Sequence, residues 1–385
     1  MAQSPPKQRA GAFIAAFTLA FAALNYGASR AAAALHAARD RDLMLLRHVP
    51  GAVPHYDWSC GEDLGSALPA VPDARTAPLV LISGMSQTYA INDVHEGALP
   101  LPDRLDASLA RRGVRAFGLV APNLQNEEAL LMLVAMLSRP ETKPRAWLYG
   151  LCFDKLRNVD VRPAMLRFLA AHPEVQTHWD HLCDEDTTAF PLACERIKST
   201  SKHAAEEQPT TTTAIGKIEE NTRNAAGTVI PLTRDRTALN AAGQTKIYEL
   251  RNWLLRIRTT TERPIIPARY QLNMDLLRLS VRIAKRNNIR PIFYIIPLNP
   301  EAKAPYRPEE YEAFKREASA IAQAEQIAFA NLENAVPEGE WGLLYGQPDF
   351  KHFREAGHTR LAETLLRTFD SEWQALAPAR GNVGP

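Results

Sequence analysis

Ser86, Asp349 and His352 are the residues through which this chain could carry out nucleophilic chemistry. A serine hydroxyl is a weak nucleophile at its own pKa. It needs a base within hydrogen-bond reach, and the base needs a third group to orient it. Ser83-Gly84-Met85-Ser86-Gln87 directly follows an apolar run. A glycine there lets the chain turn sharply and leaves the next backbone N–H groups free to face an anion. Asp349-Phe350-Lys351-His352 lies near the other end and is followed by Gly357. On a loop or one helical turn these two side chains would share a face, the carboxylate holding the imidazole tautomer while the second ring nitrogen receives the serine proton. Each segment alone also fits a plain Gly/Ser turn or a surface Asp and His pair. Together, in this order, they predict one site.

Residues so far apart meet only if the intervening elements bring them together. Leu79 to Ser83 reads as a strand buried on both faces, and Asp103 to Arg112 as a helix stopped by Gly113. Val114 to Val120 and Ala146 to Leu151 read as further strands, with a helix over Glu127 to Leu137 between them. The alternation resumes with a helix over Met274 to Lys285, a strand over Pro291 to Ile296, and helices over Pro308 to Ala324 and Thr359 to Phe369. Strands alternating with helices predict an α/β fold, a three-layer sandwich around a mostly parallel sheet. In such a sheet ligands bind outside the carboxyl ends of the strands, which is where both segments are expected.

This arrangement resembles the SGNH/GDSL hydrolase superfamily, on Gly84-Met85-Ser86 after the first strand and Asp349-Phe350-Lys351-His352 before the last helix. The resemblance covers about residues 79 to 369, without the insertion. It implies a Ser86–His352–Asp349 triad acting on acyl esters, with no cofactor and no metal. That superfamily offers a glycine after the second strand and Gly-x-Asn-Asp after the third, as oxyanion donors. Here Ala121-Pro122-Asn123-Leu124 and Gly150-Leu151-Cys152-Phe153-Asp154 stand in those places, so neither motif is intact. Asn123 is the best candidate donor and Gly150 a weaker one. Asn299, in Pro297-Leu298-Asn299-Pro300 after the fourth strand, is a candidate substrate contact or a turn-fixing asparagine.

His178-Trp179-Asp180-His181-Leu182-Cys183-Asp184 groups metal-capable side chains, but a cluster with no second pair of ligands reads as a polar surface helix. His358 reads as a residue at the start of the last helix, and as the substitute base if His352 points away. Cys183 and Cys194 would close a small loop in an oxidising compartment; the other reading leaves all four cysteines free and partly buried.

With Lys and Arg at 45 against Asp and Glu at 43, the chain has no field to hold a polyanion, which excludes nucleic acid as the expected partner. Lys7 and Arg9 precede an uncharged run over residues 11–29, which as a helix reaches roughly 28 Å and can span a bilayer core. The expected organisation is a cytoplasmic tail over 1–10, this anchor, a stalk and linker over 30–76 that begins with a helix to Arg47, an α/β domain over 77–375, and a tail over 376–385. A cleaved signal peptide, cut among the small residues 31–34, is the rival to the anchor. Either way the body is exported, and basic residues on the leading side keep that end in the cytoplasm. The domain is interrupted over about 172–262 by an insertion. Its polar tract from Lys198 to Thr213 reads as a loop or small lid, and Ile247 to Ile257 as a helix. An anchored domain of this kind is similar to the DltD-like and alginate-acetylation branches of the superfamily. That likeness implies a bacterial inner-membrane protein facing the periplasm, an acylated carbohydrate as substrate and a membrane acyltransferase as partner. The alternative is a catalytically silent binding or scaffold protein assisting such an enzyme.

Overall fold

Leu79–Gly84 (β3) is buried at every position, because parallel strands in a covered sheet have no solvent face to which polar residues could be assigned. The computed structural model describes residues 19–27, 29–31, 46–48, 55–57, 64–92, 95, 97–206, 261–344 and 347–378. Around β3 lie His55–Asp57 (β2), Arg115–Val120 (β5), Ala146–Leu151 (β6), Arg290–Ile295 (β7) and Ala328–Asn331 (β8). They form a six-stranded sheet in the order β2-β5-β3-β6-β7-β8, and every ladder in it is parallel. From β3 the chain steps to β5 on one side, then returns to β6 on the other. The strand order therefore reverses at β3, and the crevice of a parallel sheet opens at such a reversal.

Parallel neighbours need crossover connections, and the helices lie in them. Leu101–Ala110 (α1) packs against β5 and against the late helix Glu355–Thr368, while Asn126–Leu137 (α2) packs against β3 and Pro267–Arg286. Residues 126–136 of α2 are all buried, although a helix lying on a sheet usually keeps a wet face. Its outer side is covered by helices that follow β6: after Pro163–Ala171 (α3), whose leading Arg162 binds Glu128, Pro173–Asp180 (α4) and Pro191–Glu206 (α5) lie against it. The remaining long elements are Pro267–Arg286 (α6), Pro308–Glu325 (α7), Glu355–Thr368 (α8) and Asp370–Leu376 (α9).

Several boundaries differ from the sequence reading. Leu64, Ala67 and Leu68 are buried in the core and β2 extends the sheet, so the folded body begins well before residue 77. Leu46–His48 (β1) is a strand paired antiparallel with Ala90–Asn92 (β4), where the end of a stalk helix was expected. The polar tract begins as packed helix rather than as a loop: α5 continues into it as far as Glu206, burying Ala193, Cys194, Ile197, Thr200 and Ala204. Apolar periodicity fades there because Thr200 holds its place on the buried face through a hydrogen bond to Glu127. Cys183 and Cys194 form a disulfide that joins the turn after α4 to α5. The expected loop beyond Glu206 and the helix at Ile247 to Ile257 lie outside the described residues.

The chain divides into two units, residues 1–43 with 209–261, and residues 44–208 with 262–385. In the first, residues 19–27 and 29–31 are helical, and Leu19, Phe21, Leu24 and Tyr26 are exposed. Among the described residues no helix is long and apolar enough to cross a membrane; the rest of the 11–29 run lies outside them.

Candidate active site

Ser86 stands immediately beyond β3, at the strand-order reversal. Gly84 makes this turn possible: a Cβ there would collide with Thr88 Oγ1, so only glycine lets the chain fold back this tightly. Residues Ser86–Tyr89 then form one helical turn, whose leading N–H groups lack partners within the turn itself. Ser86 is half-buried.

Asp349 and His352 lie in Gln347–Phe353 (β10), a strand paired with Trp341–Leu344 (β9), and not on the loop or helical turn expected. In a regular strand, residues three apart point to opposite faces. The ladder shifts register between Pro348 and Phe353, and this bulge lets both side chains converge. Gly357 serves the same region, because a Cβ there would come within 2.5 Å of Phe353 Cβ.

The three side chains meet. Ser86 Oγ is 2.8 Å from His352 Nε2, and His352 Nδ1 is 2.8 Å from Asp349 Oδ2. The other carboxylate oxygen, Oδ1, accepts the N–H groups of Lys351 at 3.0 Å and His352 at 3.2 Å. Burial works to raise the Asp349 carboxyl, but the hydrogen bond and charge of His352 and these two N–H groups outweigh it and bring it below the usual carboxylate value. An ionised carboxylate only accepts, so Nδ1 donates to Asp349, and in the neutral imidazole Nε2 then presents its lone pair to the Ser86 hydroxyl. This is the arrangement in which a histidine can take a serine proton.

The other candidates fall in different places. Asn123 lies in the turn after β5 with φ of 50°, a left-handed conformation that asparagine tolerates. Its turn is stitched beside Ser86: the Ala121 N–H donates to the Gly84 carbonyl at 3.2 Å, and Arg162 donates to the Pro122 carbonyl at 2.9 Å. The Asn123 residue is exposed, and no hydrogen bond joins it to Ser86. Gly150 is buried inside β6, where a Cβ would press within 2.9 Å of the Tyr294 hydroxyl. Its carbonyl accepts from Lys155 at 3.2 Å, and burial pushes that amine down to about 7. Asn299 is buried and uses its side chain on the backbone, donating to the Asp349 carbonyl at 2.8 Å and accepting from the Glu301 N–H at 2.9 Å. It supports the strand that carries Asp349 and, through the Glu301 N–H, fixes its own turn, the second of the two roles expected of it.

His358 is also structural. Its Nδ1 accepts from the Leu101 N–H and its Nε2 donates to the Ala90 carbonyl, both at 3.1 Å, which ties α8 to α1 and β4. His178 and His181 are exposed, and Cys183 is committed to the disulfide. No group of three metal-capable side chains occurs among the described residues. Two features escaped the sequence reading. Lys351, between the two triad candidates, forms an ion pair with Asp154 at 3.2 Å. Phe350 packs edge-on against Tyr306, which in turn packs against Phe153, beneath the same strand. Neither shows in the sequence, because each joins segments far apart along the chain.

Fold and site together describe a parallel α/β protein in which Ser86, His352 and Asp349 are joined by hydrogen bonds at the carboxyl edge of its sheet. No protein-family model matches the chain, and no curated protein matches it in sequence. Among solved structures it is similar to TesA, with 15% identity and a TM-score of 0.36 over 76% of this chain and 98% of that one. It is also similar to a GDSL-like lipase from Bacteroides thetaiotaomicron, with 10% identity and a TM-score of 0.35 over 78% of this chain and 91% of that one.

Proposed function

We propose that this protein is a serine ester hydrolase or O-acyltransferase of the SGNH/GDSL kind. The observation that carries the reading is the continuous relay from Ser86 through His352 to a buried Asp349, with both contacts at 2.8 Å. Ser86 Oγ attacks an ester carbonyl while His352 Nε2 takes its proton. The tetrahedral oxyanion collapses, and His352 returns the proton to the departing alkoxide. The acyl-serine then passes its acyl group to water or to a sugar hydroxyl activated by the same imidazole. Donors to the oxyanion come from the N–H groups at the start of the Ser86–Tyr89 turn and from the Asn123 turn beside it.

Export and anchoring belong to this proposal too. Lys7 and Arg9 before the apolar run support it, as does the Cys183–Cys194 disulfide, since such bonds persist in oxidising compartments. An acyl ester on an envelope polysaccharide suits an anchored, outward-facing site. A serine-directed phosphonate should label the full-length protein, and Ser86→Ala should abolish the label. A wild-type protein that takes no label would sink the enzyme reading in favour of a binding or scaffold role.

A further inference from the structure

Gln87 follows Ser86 directly, and the residue is only 2% exposed. A buried primary amide is costly unless both of its hydrogens find acceptors. Here both do. Gln87 Nε2 donates to the Pro297 carbonyl at 2.8 Å and to the Lys351 carbonyl at 2.7 Å. Pro297 lies just beyond β7, and Lys351 lies in β10 between Asp349 and His352. One side chain therefore joins the nucleophile turn, the exit of β7 and the strand that carries the base.

The Lys351 carbonyl belongs to the peptide unit that ends in the His352 N–H. That N–H donates to Asp349 Oδ1 at 3.2 Å, so the peptide is held at both ends, by Gln87 and by Asp349. Fixing this plane fixes the direction in which the His352 side chain leaves the backbone. The strand is held again two residues earlier, where Asn299 donates to the Asp349 carbonyl at 2.8 Å.

We infer that Gln87 is a positioning residue: its amide holds the Lys351–His352 peptide so that His352 Nε2 stays within hydrogen-bond distance of Ser86 Oγ. The inference rests on the reading of Ser86 as the nucleophile. An apolar side chain of the same length would fill the space and leave two buried carbonyls without donors.

The test uses the full-length protein, p-nitrophenyl acetate as the ester, and the downfield proton resonance of the His352 Nδ1–H. In Gln87→Met, kcat should fall about 10- to 100-fold, the scale on which small misplacements act, with KM within about twofold. The downfield resonance should shift or broaden. An unchanged kcat together with an unmoved resonance would overturn the inference. If Gln87→Met does not fold, Gln87→Glu replaces it. A carboxylate has no donor, and protonation restores one, so the ratio of variant to wild-type kcat should rise as pH falls; a flat ratio counts against the inference. A wild-type protein without esterase activity defeats the nucleophile reading alone. The resonance then decides: moved by Gln87→Met, the positioning role stands; unmoved, it falls.

Discussion

Replacing Asp349 with Asn keeps the shape of the side chain but offers a donor where His352 Nδ1–H needs an acceptor. The imidazole would turn to its other tautomer and present a proton, in place of a lone pair, to Ser86. We expect kcat for ester hydrolysis to fall by about 10⁴, the size of effect that the same change has in serine proteases. Acidity gives the complementary test. The Asp349 carboxyl is held below its ordinary value in the folded protein, so its contribution to stability is fully present above the unfolded carboxylate value and is lost as pH falls through the depressed one. Denaturant titrations from neutral to acid pH should show this loss in the wild type and not in Asp349→Asn. An identical acid dependence in both proteins would contradict the assignment.

Among the elements, the insertion and the helix that precedes it are fastened to the body at α2. Arg196 and Thr200 of α5 bind the buried Glu127, and Arg162 at the head of α3 binds the buried Glu128, both acids in the first turn of α2. Arg162 also reaches the Pro122 carbonyl, so the head of α3 helps to hold the turn beside Ser86. The disulfide closes a short loop, with a sequence separation of 11, and should add about 3 kcal/mol by restricting the unfolded chain. Denaturant unfolding of a Cys183→Ser, Cys194→Ser protein should show a loss of about that size. A stability equal to that of the wild type would mean the crosslink contributes little.

For the protein entire, the prediction concerns where it resides. The full-length chain should fractionate with membranes, and a phosphatase reporter fused after Arg47 should be active outside the cytoplasm. A protein found in the cytoplasmic fraction would remove the export argument. It would leave the proposed chemistry at Ser86 untouched, because the relay lies wholly within the unit that contains residues 44–208 and 262–385.

The parallel α/β class was legible in the chain alone, because short apolar runs alternating with helical patterns carry their own periodicity. So were the two segments whose residue types suit a serine relay. Contacts between distant segments were not. The bulge that turns Asp349 and His352 to one side, the burial of Gln87 beneath two carbonyls and the backbone role of Asn299 depend on which segments lie side by side. The continuation of α5 into a polar tract depends on it too, since Thr200 there meets a buried glutamate that no local pattern announces. These points waited on the folded arrangement because a polar side chain reveals its partner only when the strand order has brought that partner within hydrogen-bond distance.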